Sequence, residues 1–433
     1  MMPMRPWVRF ALVGMVGIAL SSGVQPWVDA ISGAFVPADI AQDAAAAALF
    51  VDRVNPYGPA IREPHARLIG LPVAATFPHF PHPPFSLIVS LPLAFTSFRV
   101  GAAIWFAFTV ALVFVLAALV NARPPMAGEG FNPIGVWRMF FLLLAWPPVL
   151  YCLEKGQWSV LLAVLLGLSW RAISRGHLHA GATWAAAAAS VKVFPVVLGA
   201  YFLMRSVRAT GWFLATGVTL TCLPLVWIGW EAFPAFVRES RLNMPYWESF
   251  PLVMFSIHGA VARLLVGGQW AEPLVHAPLL AWMIEAGLVA VLLGLTVRVT
   301  IQARQGTVDH GLAFTAWLVL LPMLNPQSLG HNGVLLALPI VVVGRALATA
   351  GRDWQRWAWA VAVVLVSIPK QTVWRLAPPP VGPFEGLAVA SLPTWGTVLL
   401  LLVTVSLATQ AHRESAQFKR VSVPSGMAGT EFN

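Results

Sequence analysis

Apolar runs long enough to cross a bilayer recur along almost the whole chain, and the segments between them are short and rich in arginine. A membrane helix needs about 20 apolar residues, fewer where a bundle is locally thin. On that ruler spans fall near 7–26, 84–98, 101–120, 137–153, 158–173, 181–204, 211–230, 274–297, 310–324, 331–348, 357–370 and 391–409. The expected fold class is an all-α polytopic membrane protein with about twelve transmembrane helices. Only 10% of the residues are charged and the mean hydropathy is +0.75. Soluble domains carry about 25% charged residues, so an ordinary soluble enzyme, a disordered chain and a disulfide scaffold are excluded.

The net charge of +10 would suggest nucleic acid in a soluble protein. Here the basic residues sit in short loops, where the positive-inside rule and anionic headgroups account for them, so the bilayer is the expected partner and nucleic acid is not. With the N-terminus inside, Arg205, Arg208, Arg298, Arg304, Arg345, Arg352, Arg356, Arg413, Lys419 and Arg420 all fall on the cytoplasmic side. Arg171, Arg175, His177 and His179 fall outside under the same count. Either the 137–173 pair is partly re-entrant or that loop is an exception to the rule. Residues 7–26 follow Arg5 and Arg9 as a signal peptide would, but no small-residue cleavage site follows, and they read as a retained first helix. Cys152 and Cys222 lie in or beside apolar spans and do not suggest a disulfide framework.

One membrane domain over 1–410 and a short disordered cytoplasmic tail over 411–433 describe the organisation, with no internal repeat. The two long external segments, 27–83 and 231–273, are rich in Trp and Pro and broken by short helical patterns, as interfacial structures are. Trp27 and Trp247 in these loops are candidates to stack on sugar faces. Five of the 17 carboxylates fall in the first loop: Asp29, Asp39, Asp43, Asp52 and Glu63.

Asp39 and Asp43 are four apart and share a helix face. Asp39-Ile-Ala-Gln42 also has the form of a capping box, so Asp39 reads either as a helix cap or as a general base at the water–membrane boundary. Lys192 sits in an apolar span, where a lysine is costly unless it is paired or functional. It reads equally as a phosphate ligand or as a structural residue that snorkels to the interface or pairs with Glu154 or Glu285. Glu154, Lys155 and Gln157 form a polar break that reads first as a short loop. Glu285 lies mid-span with no obvious partner. His65, His79 and His82 share the first loop with Asp52 and Glu63, but no helix-face spacing supports a metal site, and no metal or cofactor is expected.

Several stretches resemble the polyprenyl-phosphate-mannose-dependent glycosyltransferases of family 87. These are Asp39 through Asn55-Pro56-Tyr57, Pro83-Pro84-Phe85 through Leu91-Pro92-Leu93, Gly156-Gln157-Trp158-Ser159-Val160-Leu161-Leu162, Ser190-Val191-Lys192-Val193-Phe194-Pro195, and Leu324-Asn325-Pro326-Gln327-Ser328-Leu329-Gly330-His331-Asn332. Their order and spacing hold over most of the chain. The resemblance implies a C-type glycosyltransferase fold whose first external loop supplies the catalytic Asp, here Asp39. It also implies a lipid-linked donor that enters from the membrane, and a glycan or glycolipid acceptor. Asp43, Tyr57, Gln157, Lys192, His331 and Asn332 become the candidate substrate-binding residues. The chain departs from the family at Asp43 (usually Tyr), Arg53 (usually Gly) and Asn332 (usually a second His). The activity implied is inverting transfer of a hexose, mannose first, on the external face of the inner membrane. The competing class is a lipid-linked-sugar flippase or transporter, which should show repeat symmetry and ionisable residues near the midplane.

Overall fold

The computed structural model describes residues 5–21, 38–73, 80–121, 135–242 and 255–421, so Trp27, Asp29, His79 and Trp247 lie outside the described residues. Among these the chain is helical throughout, with two isolated β-bridges and no strand. Among the described residues each expected span falls largely on helix, and residues 22–26 of the first lie outside them. Five helices are long and apolar enough to cross a membrane by themselves: Phe98–Asn121, Val207–Ile228, Pro278–Arg304, Gly330–Ala350 and Leu392–Arg413. Val136–Leu144 and Pro147–Lys155 form a sixth if counted as one span bent by 62°. The outward faces carry large apolar side chains, such as Leu214, Val218, Leu223 and Val226 on one helix and Leu279, Met283 and Val291 on another. Surfaces like these need lipid beside them. The interior is built differently. Ala182, Ala185, Ala186 and Ala188 are fully buried and let helix backbones approach closely. His310–Leu324 runs through the centre with Gly311 through Met323 all buried.

Hydrogen bonds between distant segments define two ends. At one, Trp105 Nε1 donates to Gly156 O (3.2 Å), Trp146 Nε1 to Ser367 Oγ (2.8 Å) and Trp227 Nε1 to Phe50 O (3.0 Å). At the other, Trp170 Nε1 donates to Gly311 O (3.1 Å), Arg205 Nη2 donates to His310 Nε2 (3.0 Å) and His412 Nδ1 lies 2.8 Å from Thr307 Oγ1. The first is called the site end below and the second the basic end.

These ends correct the sequence reading at two places. Phe85–Ala94 has 10 residues, about 15 Å of helix, and cannot cross a hydrocarbon core of about 30 Å. It begins beside Asp43 at His82 and leads into Phe98–Asn121 just ahead of Trp105, so both its termini lie at the site end. The second correction concerns 181–204, which is a hairpin and not one span. Leu178–Val191 packs antiparallel to Ser159–Ser174, with Ser169 Oγ donating to Gly181 O (2.7 Å), and reaches the site end at Lys192. There the chain breaks. Lys192 is extended (φ −138°, ψ 139°), Pro195 has no N–H to continue the ladder, and a 3-10 turn over Phe194–Val197 starts the return. Leu198–Arg205 then descends to His310 at the basic end.

The misassigned crossing and the missed hairpin offset each other for everything after Arg205. Between them they invert the middle of the chain. Ser174 and Gly311 lie side by side, which brings the Arg171–His179 loop to the end that also holds Arg205, Arg304 and His412. The apparent exception to the charge rule disappears. The first member of the 137–173 pair is bent by 62° at Ala145-Trp146; Trp137 packs on Phe114, and Lys155 leads to Gly156 beside Trp105 at the site end. The last helix continues from Leu392 to Val421, so the expected tail starts as helix.

Candidate functional site

The centre of the site is a line of three side chains from three segments. Asp39 stands in the first turn of Ala38–Val51, where a carboxylate is favoured by the helix dipole. Its Oδ2 accepts a hydrogen bond from Gln157 Nε2 (2.7 Å), and Gln157 Oε1 accepts one from Lys192 Nζ (2.6 Å). Gln157 is in place because Pro147–Lys155 ends on Gly156, whose φ of 70° is the left-handed conformation that glycine adopts without strain. The closing turn is fixed by Gln157 N donating to Cys152 O (3.0 Å). The polar break between spans is therefore part of the site, and Lys192 pairs with neither Glu154 nor Glu285. Glu154 accepts from Lys370 Nζ (2.8 Å), and Glu285 Oε2 lies 2.6 Å from His258 Nδ1.

Asp43, one turn on, is buried, and His82 Nε2 lies 3.7 Å from its Oδ1. Burial pushes the Asp43 carboxyl well above the usual carboxylate range; Asp39 adds to this, while Lys192 and the Trp158 indole oppose it. Burial, with Lys192 nearby, pushes the His82 imidazole down to about 3. His82 is thus neutral at physiological pH, and the upward shift of the buried Asp43 carboxyl favours its protonated form. Tyr57 is also buried, its phenol pushed up by desolvation, and its hydroxyl donates to His82 O (3.0 Å) while its ring packs on Phe80 and Phe236. The structure places it behind His82, one layer from Asp39.

His331 and Asn332 open the 3-10 segment Gly330–Leu336 and come to the same region. Asn332 Oδ1 accepts from Ser159 Oγ (3.2 Å), which ties this segment to the helix following Gln157. The His331 ring lies 5.9 Å from that of Tyr151, and its Nδ1 is buried without a hydrogen-bond partner. Beyond Tyr151 is a depression lined by Tyr151, Glu154, Phe255, Gly330, Lys370 and Gln371. Lys370 Nζ sits 4.4 Å from the centre of the Tyr151 ring. Among the described residues no group of three metal-type side chains forms.

Sequence reasoning missed Lys370 and underrated Gln157. A usable signal was present, because only four of the 27 basic residues are lysines. Three of those four, Lys155, Lys192 and Lys370, gather around this site, while arginine serves the basic loops.

The structure is thus an all-helical apolar bundle with a carboxylate, an amide and an ammonium in line at one end, and its family makes it a membrane glycosyltransferase. The model of glycosyltransferase family 87 matches residues 80–305, just over half of the chain, and the chain belongs to that family. No curated protein and no solved structure matches it. Gln157 and Lys192 lie inside the matched stretch. Asp39, Asp43 and Tyr57 precede it and His331 and Asn332 follow it, so these five are joined to it by geometry.

Proposed function

We propose that the protein transfers a hexose, mannose first, from a polyprenyl-phosphate carrier to an acceptor hydroxyl, with inversion at the anomeric carbon. The observation that carries this reading is the Asp39–Gln157–Lys192 line, which sets a carboxylate and an ammonium on either side of a neutral amide. Asp39 takes the acceptor's hydroxyl proton as the oxygen attacks the anomeric carbon. The bond from that carbon to the phosphate oxygen breaks with its electron pair on the leaving polyprenyl phosphate, and Lys192 meets the charge that develops there. His331 offers the donor a further polar contact through its unpartnered nitrogen. Asp43, His82, Tyr57 and Asn332 hold the loop and helix starts around these groups. The depression beyond Tyr151 and His331 gives an acceptor glycan or glycolipid its approach. The mechanism requires no metal.

The proposed arrangement is a C-type fold in which twelve passes are kept with changed membership. Phe85–Ala94 lies at the interface, and the two legs of the Lys192 hairpin each count as a pass. The basic end faces the cytoplasm and the site end faces the outer side of the inner membrane, a placement that the arginine distribution supports. The deciding experiment measures sugar release from radiolabelled polyprenyl-phosphate mannose by purified wild type and Asp39→Asn, with a crude membrane extract as acceptor source. Turnover lost only in the variant supports the transferase and its base. Turnover in both removes Asp39 as the base, and release by neither moves the reading to carriage of lipid-linked sugar.

A further inference from the structure

We propose that Gln157 is a positioning residue, a neutral spacer that keeps the Asp39 carboxylate and the Lys192 ammonium from closing on each other. This rests on the transferase reading above and gives a different role to a side chain whose first interpretation is a substrate ligand. Both ends of the amide are occupied by protein: Nε2 by Asp39 at 2.7 Å and Oε1 by Lys192 at 2.6 Å. The two contacts also fix which end is which, because an ammonium has no acceptor and a carboxylate no donor. An amide spent this way has little left for a ligand. No direct contact within 4 Å joins Asp39 to Lys192, although both approach the same side chain.

The separation matters because the two groups are asked to do opposite things. A base has to bind a proton, and a carboxylate in direct contact with an ammonium binds one less readily. A cation that is to meet a departing phosphate has to arrive without a carboxylate already on it. In a buried setting the two would otherwise pair, since opposite charges attract most strongly where water is scarce. Gln157 satisfies one hydrogen bond on each with a group that carries no charge. It leaves the second oxygen of Asp39 for the acceptor hydroxyl and two ammonium protons for the phosphate. The backbone supports such a strut: Gly156 and the Cys152 carbonyl fix its Cα, and the break before Pro195 presents Lys192 at the hairpin tip. Asp43, His82, His331, Tyr151 and Cys152 are the other titratable groups around the line. None of them stands between its members.

The test compares Gln157→Glu and Gln157→Met in the purified full chain. Two readouts are used, binding of polyprenyl phosphate and the pH–rate profile of transfer from polyprenyl-phosphate mannose. Gln157→Glu puts a carboxylate on Lys192 and a like charge beside Asp39. Polyprenyl phosphate should bind about tenfold more weakly, the loss of one charge-assisted contact. The acidic limb of the rate profile should move to higher pH. Gln157→Met keeps length and apolar bulk and adds no charge. It should bind polyprenyl phosphate within about twofold of wild type while kcat falls about 100-fold at unchanged donor KM, as for a misplaced reacting group. Equal weakening by both variants, with donor KM raised in proportion and the acidic limb unmoved, would overturn the spacer and make Gln157 a ligand. If wild type transfers no sugar but the two variants still divide in binding, the transferase reading fails and the spacer stands. If wild type transfers sugar and the division is missing, the spacer fails alone.

Discussion

Asp39 is where a structural group and a base make different predictions for one substitution. Asp39 lies within the first turn of Ala38–Val51, one residue past its start. As a purely structural group it gives up only a helix-dipole contact when changed to Asn, so Asp39→Asn should keep the melting temperature within about 2 °C, the shift of a few tenths of a kcal/mol in a chain this size. As the base it cannot be replaced by an amide, and transfer should fall to background in the radiolabel assay. Arg53 poses a question of backbone strain. It is the one described non-glycine residue with positive φ (57°). That conformation costs a side-chain-bearing residue about 1 kcal/mol. The guanidinium stacks 3.9 Å from the centre of the Trp227 ring, a contact worth about 0.5–1 kcal/mol at an exposed site. The two offset each other. Arg53→Gly should therefore leave thermal stability nearly unchanged, while Arg53→Ala loses the stack, keeps the strain and should destabilise by about 1 kcal/mol. Lys370 belongs to the approach on the far side of Tyr151. Lys370→Met should raise the acceptor KM by about 3- to 10-fold, the loss of one partly exposed polar contact, with donor KM unchanged. A change in donor KM instead would place the donor there.

At the scale of elements, the Lys192 hairpin decides which loops share a side. Its legs are Leu178–Val191, about 21 Å of helix, and the turn and helix from Phe194 to Arg205, about 20 Å. Near-equal legs return the chain to the end it left. The expected outcome is side-specific thiol labelling in intact cells. In a chain with Cys152 and Cys222 replaced by Ser, His179→Cys and Arg208→Cys should react from the same side, and Arg375→Cys, on the exposed part of Lys370–Leu376, from the other. Hydropathy alone put His179 opposite Arg208, so the experiment separates the two topologies directly. Much of this was legible in the sequence. Among the described residues the apolar runs became largely helix because a lipid-facing backbone has to satisfy its own hydrogen bonds. Asp39, Asp43, Gln157, Lys192, His331 and Asn332 gathered at one end although 118 residues separate the first hydrogen-bonded pair. What hydropathy cannot report is whether an apolar run crosses, turns back or lies flat. The run containing Phe85–Ala94 looks like a span because its environment is apolar, and the 181–204 run hides a reversal in one lysine and one proline. The arginine loop that broke the charge rule was the legible sign of both errors, and correcting the two together removes it.

At the scale of the whole molecule, the buried Asp43–His82 pair links stability to pH, and the sign follows from where each proton is held. The His82 pKa is lowered from 6.5 to about 3, so between those values the unfolded chain binds a proton that the folded chain does not. Stability from this group is fully present above pH 6.5 and drains as the pH falls, by at most about 1.4 kcal/mol per pH unit for one proton. Asp43 acts in the opposite sense. Its raised pKa means the folded state holds the proton, so its contribution is present below the ordinary carboxylate range and is lost as the pH rises through the folded value. The two slopes overlap and oppose each other in mildly acidic solution, where removing either one should expose the other. His82→Gln keeps a polar side chain of similar reach without the titration. Its melting temperature should therefore fall less than that of wild type between pH 7 and pH 5. Asp43→Asn removes the opposing slope, so its melting temperature should fall more than wild type over the same interval. Parallel melting curves for all three proteins would mean that neither group changes its proton binding on folding, and the opposed shifts of Asp43 and His82 would be wrong.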